Sequence, residues 1–335
     1  MQLTDDQLRR LEEDGFLVLP GVFTLQEVEL LRAEVPGMVA EQRQENPREA
    51  GKDTVRNILS LHRRNELYRR LVSHPRMLEA ARQILGEEVY AQQVKINLKS
   101  GFDGGGFEWH TDFATHHNRD GVPRPLALNF HIHLDDVTEF NGPLMFVPGS
   151  HKREIPLKRS VDGEKWELWT VPHDAVTSLV NELGMVSAKG PRGTLLIFGD
   201  NMLHVSAANV SPYSRWIFSV IYNPCSNQAT RDVPEMAHER DQIVREALVA
   251  ERPVDVPGAT VALHMRDDDL PGPGQFGQGD AERLGYSDAA MKEEQRFTGA
   301  VDLVIEVEAV DRGVAGLGGW HLVFLLGGLL SVGRE

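Results

Sequence analysis

Within the segment FEWHTDF, His110 and Asp112 stand two residues apart. On an extended strand residues i and i+2 share a face, so an imidazole and a carboxylate at that spacing can converge on one metal ion. Among 13 histidines a single His-x-Asp is close to a chance event, and a surface histidine beside a solvated aspartate is the alternative reading. A second element strengthens the first. Further on, IFGDNMLHVSAANVSPYSRW places His204 at the end of an apolar strand, Ser206 two residues later, and Arg215 eleven residues after the histidine. Two histidines and one carboxylate form the facial set that holds non-haem Fe(II) and leaves positions open for a chelating co-substrate and dioxygen. Arg215 opens the next strand, RWIFSVIYN, which antiparallel pairing can bring back beside the His204 strand. A guanidinium there can grip a dicarboxylate through two parallel hydrogen bonds.

The elements that must position these residues are legible on either side. Thr4 with Gln7 and Thr24 with Glu27 read as capping boxes opening two helices, the first ending at Asp14-Gly15. A short helix is expected from Asn65 and another from Pro75 to Gly86, so the front third is mostly helical. After Gly86 the period changes from helical to alternating. VYAQQVKINLK puts Gln93, Lys95 and Asn97 on one face, and LALNFHIHLDD puts Asn129, His131 and His133 together. PLMFVPGSH, GTLLIFGD and RWIFSVIYN are further short strands between turns of Gly, Pro and Asn. Helices followed by many short strands predict an α+β chain with a double-sheet, jelly-roll core.

Several longer motifs carry a resemblance. They are Thr54-Val55-Arg56 with His62-Arg63-Arg64, QVKINLK, WHTDF, Asp120-Gly121, NGPLMFVPGSHK, and the run H-x-S-x-x-N-x-S-P-x-x-R from His204 to Arg215. In this order and spacing they resemble the phytanoyl-CoA dioxygenase superfamily of Fe(II)/2-oxoglutarate oxygenases. The likeness is greatest to the branch of ectoine hydroxylase and free L-proline 4-hydroxylase, and it covers about two-thirds of the chain, from Leu3 to Asn223. The resemblance implies a double-stranded β-helix (cupin-like jelly roll) with the N-terminal helices packed on one sheet. It implies His110, Asp112 and His204 as iron ligands, Arg215 and Ser206 on the distal carboxylate of 2-oxoglutarate, and Gln93 and Asn97 facing the co-substrate pocket. Lys95 replaces a basic neighbour of the substrate. The cofactor set so implied is Fe(II), 2-oxoglutarate and O2, with ascorbate supporting activity. The expected reaction hydroxylates a small polar metabolite, an amino or imino acid or a cyclic derivative, and releases succinate and CO2.

Where these relatives carry tryptophan six residues after the first ligand, this chain has His116, followed by His117. Either residue reaches a substrate or sits on a loop. Asn129 and His131 line the pocket or are satisfied core residues. NGPLMFVPGSHK reads as scaffold. Other readings of the whole are a hydroxylase of another natural-product intermediate, and a barrel that binds metal or ligand without catalysis.

The 335 residues carry 35 Lys+Arg against 50 Asp+Glu, a net charge of −15 that disfavours nucleic acid as a partner. A single cysteine, Cys225, leaves no disulfide framework or thiolate cluster, and the charged N-terminus has no signal-peptide core, so a cytoplasmic location is expected. A small-molecule partner is expected, with a homodimer as a possible assembly. Residues 1–250 are read as the catalytic domain and 251–335 as an extension. A charged helical stretch, PEMAHERDQIVREAL, leads up to that extension, within which RDDDLPGPGQFGQGD reads as a linker or mobile loop and VDLVIEVEAV as one more strand. The apolar run 314–332 is long enough to suggest a membrane span, but its five glycines favour a buried or poorly folded tail.

Overall fold

The structure, a computed structural model, describes residues 1–162 and 166–231, together with two strands at 320–325 and 328–334. The expected PEMAHERDQIVREAL helix, the Gly/Pro linker and the VDLVIEVEAV strand lie outside the described residues.

Both capping boxes are present: Thr4 opens α1 (Asp5–Asp14) and Thr24 opens α2 (Leu25–Ala40), with β1 (Phe16–Leu19) between them. After β2 (Asn57–Leu59) come α3 (Glu66–Val72), capped by the Asn65 side chain, and α4 (Pro75–Leu85), with Pro75 in its first turn. Then follow β3 (Val89–Lys99), β4 (Phe107–His110), α5 (Asp112–Asp120), β5 (Leu128–His133) and β6 (Leu144–Phe146). Next are β7 (Lys158–Asp162), β8 (Trp166–Thr170), α6 (His173–Leu183) and β9 (Val186–Ala188). β10 (Leu195–Gly199), β11 (His204–Ser206) and β12 (Arg215–Pro224) complete the sheets.

These strands form two six-stranded antiparallel sheets. The major sheet runs β1-β10-β5-β12-β3-β2 and the minor sheet β7-β8-β4-β11-β6-β9. Alternation gives the major sheet two different faces. Val94, Ile96, Leu98, Phe130, Ile132, Phe218 and Val220 join Leu31, Val35, Tyr68, Met77 and Ala81 of the helices in one buried cluster. Tyr68 stacks on Phe218 at 5.5 Å and donates to the Leu31 carbonyl at 2.8 Å, while Tyr222 donates to the Val72 carbonyl at 2.6 Å. The opposite face carries Gln93, Lys95, Asn97 and Lys99 from β3, Asn129, His131 and His133 from β5, and Arg215, Ile217, Ser219 and Ile221 from β12. The double-sheet core with helices on one sheet is therefore as expected.

One expectation is corrected. The strand carrying His110 stops there, and Thr111 caps α5, of which Asp112 is the first residue. His110 and Asp112 are thus brought together by a strand-to-helix turn, not by strand alternation.

Contacts divide the chain into units 1–253 and 254–335. In the second, β13 (Trp320–Leu325) and β14 (Gly328–Arg334) pair antiparallel across much of the apolar run. Among the described residues no helix is long and apolar enough to cross a membrane.

Gly15 ends α1 in the left-handed region at φ 84°, and a side chain there would run into Met202 and His151. Gly15→Ala is therefore expected to lower stability by about 2 kcal/mol or more, combining left-handed strain with overpacking. The loss would be read as a lower urea midpoint at unchanged slope.

Candidate metal and anion site

β11 is a three-residue strand lying between β4 and β6, and its register places His204 opposite His110 on one side and Phe146 on the other. The two imidazole rings are 4.2 Å apart. Asp112 enters from the first turn of α5, with its Oδ1 3.6 Å from His110 Nε2. One ligand atom from each of His110, Asp112 and His204 lies within 4.8 Å of the other two, and this is the cluster of such donors found among the described residues.

Each histidine is oriented by its own backbone. His110 Nδ1 lies 2.7 Å from the Glu108 carbonyl, and His204 Nδ1 lies 2.9 Å from the Met202 carbonyl. A carbonyl can only accept, so each Nδ1 carries the proton and each Nε2 turns a lone pair toward the cluster. Burial first, and then His110, push His204 down to about 4, which keeps it neutral at ordinary pH. Burial pushes Asp112 up, but its neighbours His110, His204 and Lys95 outweigh it and hold the carboxyl well below its usual range. Asn129 Nδ2 donates to Asp112 Oδ2 at 2.9 Å, leaving Oδ1 toward the histidines. Two imidazoles that turn their Nε2 atoms inward and one fixed carboxylate suit a divalent ion of the Fe(II) class.

The motifs around the cluster do mechanical work. Ser150 Oγ, in the Pro-Gly-Ser turn of NGPLMFVPGSHK, accepts from the Leu203 amide at 3.0 Å, next to His204. Arg56 donates to Glu49 at 3.2 Å and to the Gly106 carbonyl at 3.1 Å, and its guanidinium lies over the Phe107 ring at 4.3 Å, so Thr54-Val55-Arg56 braces the start of β4.

At the other end of the inner face Arg215 pairs with Lys99 across β12 and β3. Arg215 is 3% exposed and its Nε has no hydrogen-bond partner. Burial pushes the guanidinium down to about 10, opposed by Asp135. Lys99 is 5% exposed, and its Nζ donates to Ser206 Oγ at 2.9 Å and to the Ala207 carbonyl. Burial, then Arg215 and Arg56, push Lys99 down to about 6. Two adjacent buried basic side chains and a hydroxyl can receive an anion. The hydroxyl of Ser206 accepts from Lys99 and still has its own proton to give.

The remaining sequence-chosen residues are dispersed over this neighbourhood. Gln93 is buried and accepts from Lys95 Nζ at 2.7 Å. Asn97 is half-buried between Asn57 and Ile217. His116 is buried one helical turn beyond Asp112, with Nδ1 3.7 Å from Asp200 Oδ2. His117 is exposed and its Nδ1 meets the Val122 carbonyl at 2.9 Å, at the end of α5. His131 is buried against Phe198, edge to face at 5.0 Å. Sequence reasoning missed Lys99, although it is the next alternate position after Gln93, Lys95 and Asn97. It also missed Ser219, and Asp200, whose carboxyl is pushed well up by burial and then by Asp112. No sequence signal marks Asp200.

Known proteins resemble this chain in sequence and fold. The family model for phytanoyl-CoA dioxygenase matches residues 11–217. An ectoine dioxygenase of Bordetella bronchiseptica is 38% identical over 265 residues, covering 76% of this chain and 86% of that protein. An L-proline trans-4-hydroxylase of Streptomyces griseoviridis is 34% identical over 244 residues, covering 69% and 91%. The crystal structure of EctD from S. alaskensis with 2-oxoglutarate and 5-hydroxyectoine superposes with a TM-score of 0.65 at 29% identity, over 74% of this chain and 87% of that one. The same protein with bound Fe gives a TM-score of 0.61 at 30% identity, over 68% and 79%.

For this donor set, Asn129→Ala is expected to weaken divalent-ion affinity about 10–100-fold by releasing Asp112, with the fold retained. A cobalt(II) titration followed by absorbance measures it.

Proposed function

The chain belongs to the phytanoyl-CoA dioxygenase family of Fe(II)- and 2-oxoglutarate-dependent oxygenases, and from that premise we propose that it hydroxylates a free amino or imino acid, or a cyclic derivative of one, with release of succinate and CO2. His110, Asp112 and His204 hold the iron in this reading. Arg215, Lys99 and Ser206 hold the distal carboxylate of 2-oxoglutarate. Bound iron supplies the oxidative decarboxylation of the co-substrate and the oxygen transfer that follows it. The protein supplies geometry. Nδ1-fixed imidazoles and the Asn129-held carboxylate set the ligand directions, and the Arg215–Lys99 clamp sets the co-substrate's orientation. The apolar residues Phe146 and Phe198, packed within 5.8 Å and 5.3 Å of the His204 ring, keep that side of the centre dry.

The observation that carries this reading is the buried cation pair beside the three-donor cluster. A barrel that merely stores a metal has no use for a dicarboxylate clamp at that place. The names of the relatives support the substrate class, since similar proteins are called ectoine dioxygenase and L-proline trans-4-hydroxylase. Purified protein given Fe(II), 2-oxoglutarate, ascorbate and a panel of amino and imino acids and cyclic derivatives should release succinate with one of them. Failure across the panel would defeat the reading.

Two further outcomes are expected. Arg215→Ala should weaken 2-oxoglutarate binding at least tenfold, about 1.4 kcal/mol, while iron binding is kept. Lys99, at about 6 without ligand, should be driven back up by an adjacent carboxylate. Binding then takes up a proton at pH above about 6, so affinity is constant below that pH and falls as pH rises through 7 and 8. Calorimetry in buffers of different ionisation heat reads that uptake, and Lys99→Met should abolish it.

A further inference from the structure

Arg215 is the first residue of β12, with Ser214 before it and Trp216 after it. A guanidinium at the end of a long side chain grips a ligand only as firmly as its backbone is held, and element ends open most readily. Both neighbours of Arg215 are bonded to one carboxylate. Asp135, two residues past the end of β5, accepts on Oδ2 from the Ser214 hydroxyl at 2.8 Å and from the Trp216 amide at 2.8 Å. Its Oδ1 takes the guanidinium of Arg32 on α2. Asp135 is buried, and these three donors are what a buried carboxylate requires.

The register shows what the carboxylate replaces. Phe218 stands opposite Ile132 and Ile217 opposite His133, so a continued ladder sets Trp216 opposite Leu134. In a hydrogen-bonded antiparallel pair each residue gives its amide to the other's carbonyl. Only half of that exchange is present, the Leu134 amide donating to the Trp216 carbonyl at 2.9 Å. The Leu134 carbonyl accepts instead from Arg32 at 2.9 Å, and the Trp216 amide goes to Asp135. The Arg32 guanidinium also lies 4.9 Å from the centre of the Trp216 ring. The ladder thus ends one bond early, and Arg32 and Asp135 take over at the residue next to Arg215.

The same carboxylate acts on the Arg215 side chain through its charge, opposing the effect of burial on the guanidinium. The rest of β12 has other support. It pairs with β3 from Arg215 to Pro224 and with β5 from Ile217 to Tyr222. Loss of Asp135 is therefore local to the start of the strand, where the guanidinium is carried, and distant in the chain from the donors at His110, Asp112 and His204.

We propose that Asp135 is the positioning residue of the anion clamp: by holding Ser214 and Trp216 it fixes the strand on both sides of Arg215. It thereby sets how tightly the enzyme grips the end of its co-substrate remote from the metal. This rests on the reading of Arg215 as the 2-oxoglutarate anchor and adds what holds that anchor in place.

The test uses the full chain loaded with Fe(II) under nitrogen and titrated in a calorimeter with 2-oxoglutarate or 2-oxopentanoate. The two acids share a carbon chain and differ in the distal carboxylate. The wild type should prefer 2-oxoglutarate by about tenfold or more. Asp135→Ala should cut that preference about fivefold by weakening 2-oxoglutarate, with 2-oxopentanoate and Fe(II) affinities kept within about twofold. In an Arg215→Ala background the same change should alter 2-oxoglutarate affinity by less than about twofold, because Asp135 acts through Arg215. Ser214→Ala removes one of the two bonds and should cut the preference about threefold, so it stands as the test if Asp135→Ala fails to fold. An undiminished preference in the variants that fold, or an equal loss for both acids, would overturn the proposal. So would a loss that persists without Arg215, by assigning Asp135 to the sheet as a whole. If the wild type binds both acids equally, the Arg215 reading itself falls, and this proposal with it.

Discussion

The pairing of two very short strands, β4 and β11, is the constraint on which the site depends. It sets His204 against His110 across a separation of 94 residues. Each imidazole is then fixed by a carbonyl two residues earlier in the chain, Glu108 for one and Met202 for the other. The tautomer follows from local backbone geometry, so both Nε2 lone pairs are available before any ion arrives. This pre-organisation has supports outside the strands. Gly15, by lacking a side chain, lets Met202 pack at the end of α1, and Ser150 holds the Leu203 amide.

The major sheet separates two tasks by alternation alone. One face is aliphatic and aromatic and buries the helices; the other is lined with amides, imidazoles, hydroxyls and three cations. Burying such groups costs free energy when they lack partners, as the Arg215 Nε, the Ser219 hydroxyl and the ring nitrogens of His131 and His133 do on the inner side. The apolar packing of the outer side offsets that cost.

Much of this was legible in the letters. The capping boxes at Thr4 and Thr24, Pro75 and Gly86 announce their helices by local chemistry, and the alternation in VYAQQVKINLK and LALNFHIHLDD gives the polar face. The three metal donors and Arg215 were reachable from residue type and spacing. What escaped depends on pairing between distant strands. Lys99 looks like the solvated end of a strand until Arg215 is placed opposite it and Ser206 above it. Ser219 is an unremarkable serine until β5 sets His131 beside it. Asp112 was assigned to a strand because His-x-Asp fits alternation, whereas a threonine cap at Thr111 turns the chain into a helix at that point. That helix start also favours a negative charge at its first turn.

The bond from Lys99 to Ser206 joins β3 of one sheet to β11 of the other. In the proposed reading, a diacid lodged at that junction with its far end on the histidine cluster of the minor sheet would act as a cross-brace between the two halves of the sandwich. Occupancy and mechanical integrity are then one equilibrium viewed from two sides. A ligand present at a hundred times its dissociation constant adds about 2.7 kcal/mol to the folded state. On that reading the interior that would hold the reactants is at its most stable when it is full.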